Sequence, residues 1–182
     1  MLKIQAESNV PTEYGEFRMI AFSESEKDWM PHIAVVAKNT DFSKPVNVRF
    51  HSECITGEVF HSKKCECGQQ LDAAMKFIHE NGGIIIYLRQ EGRNIGIINK
   101  LRAYELQEKG RDTVEANLDL GLPADDRDFG IAIEILKQLN VSKINLLTNN
   151  PLKMEAVEKS TITLEKRIPL QIKSVKENIG YL

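Results

Sequence analysis

The spacing of apolar residues changes at Cys67, and this change restricts the folds that the chain can adopt. Before Cys67, short apolar runs separated by polar turns predict strands at 15–22, 32–37 and 46–51. After it, apolar residues recur at helical spacing between short β-branched runs. The chain therefore passes from a strand-rich part to a part in which strands and helices alternate.

The alternating part predicts four helices and a set of buried strands. The predicted helices cover 68–81, 95–109, 128–139 and 151–158, and the predicted strands cover 83–89, 144–147 and 161–172. Strands that alternate with helices are typical of a largely parallel or mixed sheet. We therefore expect an α/β (mixed α+β) fold, a mixed sheet flanked by helices with antiparallel N-terminal strands, in a single domain over 1–182.

Composition excludes several classes of protein. The net charge of −2 argues against binding to duplex nucleic acid, which usually requires a strongly basic domain. The apolar runs are too short to span a bilayer, and the N-terminus lacks the apolar stretch of a signal peptide. These features predict a cytoplasmic protein with no membrane partner, whose thiols stay reduced.

All three cysteines of the chain lie within fourteen residues, at Cys54, Cys65 and Cys67. Thiolates in a reducing compartment suit zinc, and a catalytic zinc site keeps three protein ligands whereas a structural one has four. His51 or His61 could complete a structural site, and buried cysteines without metal are a third alternative. Spacing alone leaves these alternatives open. A zinc ion held by three thiolates is a weak Lewis acid, so a catalytic site would need a nearby acid–base group.

Other polar residues allow two interpretations each. The Arg89–Arg93 segment and the 148–153 segment each lead from a strand end towards a helix, as phosphate-binding loops and ordinary charged turns both do. For Asp125 and Arg127, which precede a helix, the structural interpretation is an acidic first turn. For Tyr104, inside a predicted helix, it is a place at the rim of the core with the hydroxyl at the protein surface. The second interpretation of these three residues, a catalytic role, is implied only by the family resemblance described next.

Several independent segments resemble the GTP cyclohydrolase II family, in the family's order. They are Arg49-Phe-His-Ser-Glu-Cys-Ile-Thr-Gly-Glu, Cys65-Glu-Cys-Gly-Gln-Gln-Leu, Arg89-Gln-Glu-Gly-Arg-Asn-Ile-Gly, Asp112-Thr-Val-Glu-Ala-Asn, Asp125-Asp-Arg-Asp-Phe and Leu147-Thr-Asn-Asn-Pro-Leu-Lys. The resemblance covers roughly residues 10–172. Glu58 and Glu66 stand where Asp is common in the family, and the basic C-terminal tail of most relatives is expected to be absent.

The resemblance implies an enzyme that hydrolyses GTP to 2,5-diamino-6-(5-phospho-ribosylamino)pyrimidin-4(3H)-one, with release of formate and pyrophosphate. This reaction is the first step of riboflavin biosynthesis. One Zn²⁺ per chain, Mg²⁺ carried by the triphosphate and a homodimer are implied as well. Two alternatives stay open: a related zinc nucleotide hydrolase that stops at a formylamino intermediate, and a non-catalytic structural-zinc module.

The resemblance also assigns residues to roles. It places the zinc ligands at Cys54, Cys65 and Cys67, and catalytic residues at Asp125, Arg127 and Tyr104. In the family the matching Asp is a proton acceptor and the matching Arg acts at the α-phosphate; because arginine stays protonated, we expect Arg127 to stabilise phosphoryl charge rather than to form a covalent bond. The implied GTP contacts are Arg49, Phe50 (through its backbone), His51, Ser52, Glu53, Gln70, Glu91, Gly92, Arg93, Thr113, Thr148 and Lys153.

Overall fold

The computed structural model describes residues 1–170. The strands within this range are β1 Lys3–Thr12, β2 Gly15–Ser23, β3 His32–Ala37, β4 Val46–Ser52, β5 Ile84–Leu88, β6 Lys143–Leu147 and β7 Thr163–Ile168. The helices are α1 Ile55–Glu58, α2 Cys67–Asn81, α3 Gly96–Glu108, α4 Thr113–Asp119, α5 Gly130–Gln138 and α6 Pro151–Glu158. The predicted α/β class is confirmed.

The seven strands form one mixed sheet in the order β1-β2-β3-β5-β4-β6-β7. β1, β2 and β3 pair antiparallel, as predicted, and β3 pairs antiparallel with β5. β4, β6 and β7 pair parallel, so β4 and β6 end at the same edge of the sheet. The residues that follow these two strands were expected to belong to a functional site.

Alternating side chains of the central strands enter two different apolar clusters. On β3, Ala34 and Val36 belong to the larger cluster, while Val35 and Ala37 belong to the smaller one. Because successive side chains of a strand point to opposite faces, the two clusters cover the two faces of the sheet. Helices α5 and α6 contribute to the larger cluster and α2 to the smaller one, which makes three layers.

Among the described residues, three elements were not predicted: the single-turn helix α1, the strand β1 and the helix α4. β1 is an edge strand whose residues are mostly exposed, so its sequence carries no apolar alternation. Helix α4 begins with a capping box, in which Asp112 accepts from Glu115 N and the Glu115 side chain accepts from Asp112 N. The spacing of Asp112 and Glu115 was a usable signal for this helix. Of the strand predicted over 161–172, residues 171 and 172 lie outside the described range.

The described chain divides into two compact units. The first comprises residues 1–51, 71–88 and the part from 129 onward, and contains nearly the whole sheet with both apolar clusters. The second comprises 52–70 and 89–128. The single domain over 1–182 stays a prediction. Within residues 1–170, every helix is too short or too polar to cross a membrane.

Candidate active site

The three cysteines lie together in the second unit. Cys54 is the N-cap of α1 and Cys67 is the first residue of α2, and the three Sγ atoms all lie within 4.8 Å of one another. The Sγ atoms of Cys54 and Cys65 are 3.5 Å apart. Zinc–sulfur bonds of about 2.3 Å in a tetrahedron separate two sulfurs by about 3.8 Å, so the donor set fits zinc. His61 is not a member of this group among the described residues.

Two glycines make room for the thiols. A Cβ on Gly57 would lie 2.7 Å from Cys65 Sγ and 3.4 Å from Cys54 Sγ. A Cβ on Gly68 would lie 2.4 Å from the carbonyl oxygen of Gly57, which brings the start of α2 against α1. Since real Cβ atoms do not approach other atoms so closely, any side chain at Gly57 would displace the thiol of Cys65.

Gly57→Ala is therefore expected to weaken zinc binding by about tenfold or more while the fold persists, an effect of the size seen when groups around a metal site are changed. The dissociation constant for zinc, measured by competition with a chromophoric chelator, checks this. Val59→Ala, at an exposed position next to α1, serves as the control and should bind zinc like the parent chain. Equal affinities for Gly57→Ala and the parent would contradict the expectation.

A cation and a carboxylate adjoin the cysteines. Lys100 on α3 is buried, and its Nζ lies 3.0 Å from Cys54 Sγ and 2.8 Å from Glu91 Oε1. Hydrogen bonds from Cys65 and Cys67, and to a lesser degree from Lys100, lower the pKa of Cys54. Although burial opposes it, the contacts with Cys54 and Glu91 raise the pKa of Lys100. The contact between Lys100 and Cys54 thus favours the charged form of each group.

One cavity of about 190 Å³ adjoins this cluster. Within the second unit, its walls include these residues from the sequence analysis: Ser52, Glu53, Cys54, Cys65, Cys67, Gly92, Arg93, Tyr104 and Arg127. Lys100, Gln107 and Asn117 line it as well. The volume is below the roughly 300–1,000 Å³ of a pocket for a whole drug-sized ligand, which suits one part of a nucleotide.

Tyr104 is buried and lines the same cavity as the cysteines, and its ring lies near two lysines. The Nζ atoms of Lys64 and Lys100 lie 4.8 and 5.9 Å from its ring centroid. Burial, which is the larger effect, raises the pKa of Tyr104, and the charge of Lys100 opposes it. The phenol therefore keeps its proton at neutral pH. A hydroxyl at the protein surface, one of the two interpretations of Tyr104, is wrong because the side chain is buried.

The loop after β5 has an unusual backbone. Gly92, Arg93 and Asn94 all have positive φ, at 61°, 58° and 73°. Two consecutive non-glycine residues in this region are strained, and such strain is common at functional sites. The loop also holds a second segment, because Arg93 O accepts from Asp126 N and Arg93 Nη1 donates to Ala124 O.

Asp125 and Arg127 form a forked ion pair in that second segment. Arg127 Nε lies 2.8 Å from Asp125 Oδ1, and its Nη2 contacts Asp125 Oδ2. Both residues precede α5, which begins at Gly130, so the interpretation as an acidic first turn of that helix is wrong. Burial alone would raise the pKa of Asp125, but the hydrogen bonds and charge of Arg127 outweigh it and lower this pKa.

The Asp125 carboxylate is expected to stabilise the fold at neutral pH and to lose this effect in acid. Since its pKa is lowered in the folded state, the stabilisation is complete above the ordinary value of 3.8 and disappears as the pH falls through the lowered folded value. Asp125→Asn should therefore be less stable than the parent at pH 7, by on the order of 1 kcal/mol, with a difference that shrinks below pH 4. Urea unfolding across pH checks this.

The control for this experiment is Asp126→Asn. The carboxylate of Asp126 accepts from the neutral amide of Asn94 at 3.1 Å rather than forming the forked pair. A stability difference between Asp125→Asn and the parent that is the same at pH 7 and pH 3 would contradict the expected role of the charge.

The first unit contains another group of predicted residues. Lys153, buried near the start of α6, donates from Nζ to Phe50 O at 2.8 Å, and Arg49 Nη1 donates to Leu147 O at 3.2 Å. The ring of Phe50 stacks on Phe129, and that of His51 stacks on Tyr87. Two cationic side chains are thus buried where the parallel strands β4 and β6 end.

The remaining predicted GTP contacts are distributed over both units. Gln70 is half-buried on α2, and Thr148 Oγ1 accepts from Asn150 N at the start of α6. Thr113 is the first residue of α4. Glu91 contacts Lys100 and also accepts from Ile55 N at 2.6 Å, so its carboxylate is held by the protein at both oxygens.

Lys100 was not among the predicted site residues, although the sequence contains a signal for it. Lys100, Tyr104 and Gln107 are spaced at i, i+4 and i+7, which is one face of a helix, and all three line the cavity. A lysine one helical turn from Tyr104 on the same face is a candidate for the same site. The ion pair of Arg89 with Glu53, at 3.2 Å, had no such local signal.

Within the second unit, three clustered thiols that could hold a metal ion line one cavity together with a buried tyrosine and an arginine, an arrangement typical of metal-dependent enzymes. The chain belongs to the GTP cyclohydrolase II family, whose model matches residues 3–169. The predicted family is confirmed.

Curated relatives support the same family. The chain is 46% identical over 187 residues to GTP cyclohydrolase-2 of Actinobacillus succinogenes, covering all of this chain and 85% of that protein. It is 50% identical over 179 residues to the riboflavin biosynthesis protein RibBA of Bacillus cereus, covering 98% of this chain and 45% of that protein. The chain thus spans less than half the length of RibBA.

A solved structure shares the fold at low sequence identity. The two-domain 3,4-dihydroxy-2-butanone 4-phosphate synthase RibBX from A. baumannii superposes with a TM-score of 0.53 and 18% identity. The match covers 94% of this chain and 40% of that one. At this identity the similarity concerns the fold alone.

Proposed function

We propose that this chain is a GTP cyclohydrolase II that acts in riboflavin biosynthesis. Its substrate would be MgGTP, and its products formate, pyrophosphate and the diaminopyrimidinone ribosylamino phosphate. The observation that carries the proposal is one cavity, which is lined by Tyr104 and Arg127 as well as by the three clustered thiols. Family membership and the names of the relatives support it.

Cys54, Cys65 and Cys67 would hold one zinc ion. Zinc bound there would supply a Lewis acid and a water of lowered pKa. The cluster offers three ligands, and the room for it depends on the missing side chain of Gly57. Three protein ligands are the number that catalytic zinc sites use.

Tyr104 would provide the proton that ring opening requires. Its raised pKa keeps the phenol protonated at neutral pH, so it suits donation to the imidazole nitrogen as the bond to C8 breaks. The two nearby ammonium groups, on Lys64 and Lys100, would stabilise the phenolate that donation leaves.

Arg127 would stabilise the charge that develops when the bond between the α- and β-phosphates breaks. Arginine remains protonated, and the pair with Asp125 holds its guanidinium in one orientation. Asp125 has a lowered pKa and is therefore a weak base. We assign Asp125 to orienting Arg127, in preference to the role of proton acceptor that the family resemblance implies.

Buried polar atoms in the second unit would recognise the substrate. Within residues 1–170, Ser52 Oγ and Glu53 Oε2 are buried without a hydrogen-bond partner, which is costly unless a ligand satisfies them. Burial raises the pKa of Glu53 in spite of the nearby Arg89. The other GTP contacts implied by the resemblance, the homodimer and the cytoplasmic location stay predictions.

One assay tests the proposal. Zinc-loaded protein is incubated with GTP and Mg²⁺, and formate and pyrophosphate are measured together. The proposal expects both products in equal amounts. Pyrophosphate without formate would favour the hydrolase that stops at a formylamino intermediate, and neither product would favour the structural-zinc module.

A further inference from the structure

Lys100 has an unusual environment for a lysine. Its side chain is 8% exposed, and its ammonium group lies between a thiol sulfur and a carboxylate, 3.0 Å from Cys54 Sγ and 2.8 Å from Glu91 Oε1. Burying a charge is unfavourable unless partners compensate it. Here the two partners are Cys54, one of the three clustered cysteines, and Glu91, in the loop after β5.

Two carboxylates hold the backbone at and next to Cys54. Glu91 Oε2 accepts from the N–H of Ile55, the residue after Cys54, and Glu58 Oε1 accepts from Cys54 N at 2.9 Å. The ammonium group of Lys100 contacts both Glu91 Oε1 and Cys54 Sγ, so it connects Glu91 to the sulfur atom. Neighbouring groups of this kind orient metal ligands and modify the properties of the metal.

We propose that Lys100 is a positioning residue that modifies Cys54 as a zinc ligand. This inference rests on the zinc site of the proposed function. Three thiolates around a divalent ion carry one net negative charge, and donation from sulfur weakens the Lewis acid. An ammonium hydrogen bond to Cys54 draws charge away from the sulfur, so the metal accepts more charge from its remaining ligand. Glu91 keeps the ammonium group in contact with the sulfur.

Cobalt(II) bound in place of zinc gives a direct readout, because sulfur-to-cobalt charge-transfer bands respond to hydrogen bonds at the sulfur. A hydrogen bond stabilises the sulfur electrons and raises the transition energy. In Lys100→Met the band is expected to move to lower energy, and the kcat of the zinc-loaded variant to fall about 10- to 100-fold with a smaller change in KM.

Two further variants are expected to shift the charge-transfer band by smaller amounts than Lys100→Met does. Lys100→Arg keeps a charged donor and should hold the band close to the parent position. Lys100→Gln keeps a neutral donor and should lie between the parent and Lys100→Met, so it tests the inference even if the Met variant does not fold. Lys109→Met is the control, since it removes an exposed lysine at the end of the same helix, paired with Glu105.

The outcomes separate this inference from the proposed function. If the parent chain binds no cobalt, the proposed metal site fails. If the parent, Lys100→Met and Lys100→Gln all bind cobalt with the same band energy, the zinc site stands and the role of Lys100 is wrong.

Discussion

Replacing Cys65 with serine is expected to remove bound metal and to reduce turnover of GTP by at least about 1,000-fold. A catalytic metal contributes several kcal/mol to the transition state, and each 1.36 kcal/mol corresponds to a factor of ten. The Sγ of Cys65 lies 3.5 Å from that of Cys54, so its loss breaks the cluster. Zinc per chain by atomic absorption, together with formate release, checks this result.

The fold should survive this substitution. Both apolar clusters of the first unit are built without any cysteine, so their packing does not depend on the metal. The parent chain stripped of metal by a chelator is the control, and its circular dichroism should match that of Cys65→Ser. Unfolding of both proteins on metal loss would contradict catalytic zinc and favour a structural site, whose binding energy contributes to folding.

Replacing Arg127 with alanine is expected to lower the rate of pyrophosphate release about 100- to 1,000-fold, the effect of removing one preorganised donor from a site of developing charge. Arg127 lines the cavity, and its Nε and Nη2 are held by Asp125. Lysine at this position keeps the positive charge but cannot make the two parallel hydrogen bonds of a guanidinium group. Arg127→Lys should therefore be faster than Arg127→Ala but slower than the parent chain. Pyrophosphate and formate measured in one reaction check both variants.

The same variants separate an electrostatic role from a covalent one. If the role of Arg127 is electrostatic, mass spectrometry of enzyme quenched during turnover should give the mass of the unmodified chain. A guanylyl group bound to Arg127 would contradict an electrostatic role. Arg102→Ala is the matched control, since Arg102 is exposed on α3 and donates to Asn99. It should release pyrophosphate at the parent rate.

Much of the fold follows from local patterns. The β-branched run at 84–88 and the apolar faces of α2 and α5 were predicted to within one or two residues, because periodic burial leaves a periodic sequence. β1 escaped prediction since both of its faces are largely exposed and pairing with β2 alone makes it a strand. α4 escaped because its signal lies in its capping residues rather than in a long apolar stripe.

The site divides in the same way. The three cysteines were singled out from residue type and spacing, which left catalytic zinc, structural zinc and no metal as alternatives, and only the family resemblance implied that they are zinc ligands. The ammonium group at Cys54 comes from a residue 46 positions away, and the partner of Glu53 is Arg89, in the loop after β5. Such contacts depend on how α3 and the loops pack, which no short pattern encodes.

The sequence by itself determined the α/β class, the cluster of three thiols and the family. Only the tertiary structure decided that Tyr104 is buried, that Asp125 and Arg127 form a fork, and that Lys100 contacts Cys54. Local rules of sequence act over one turn of helix or a few residues of strand. The charge state and orientation of a side chain depend instead on burial and on neighbours that the fold brings from elsewhere in the chain.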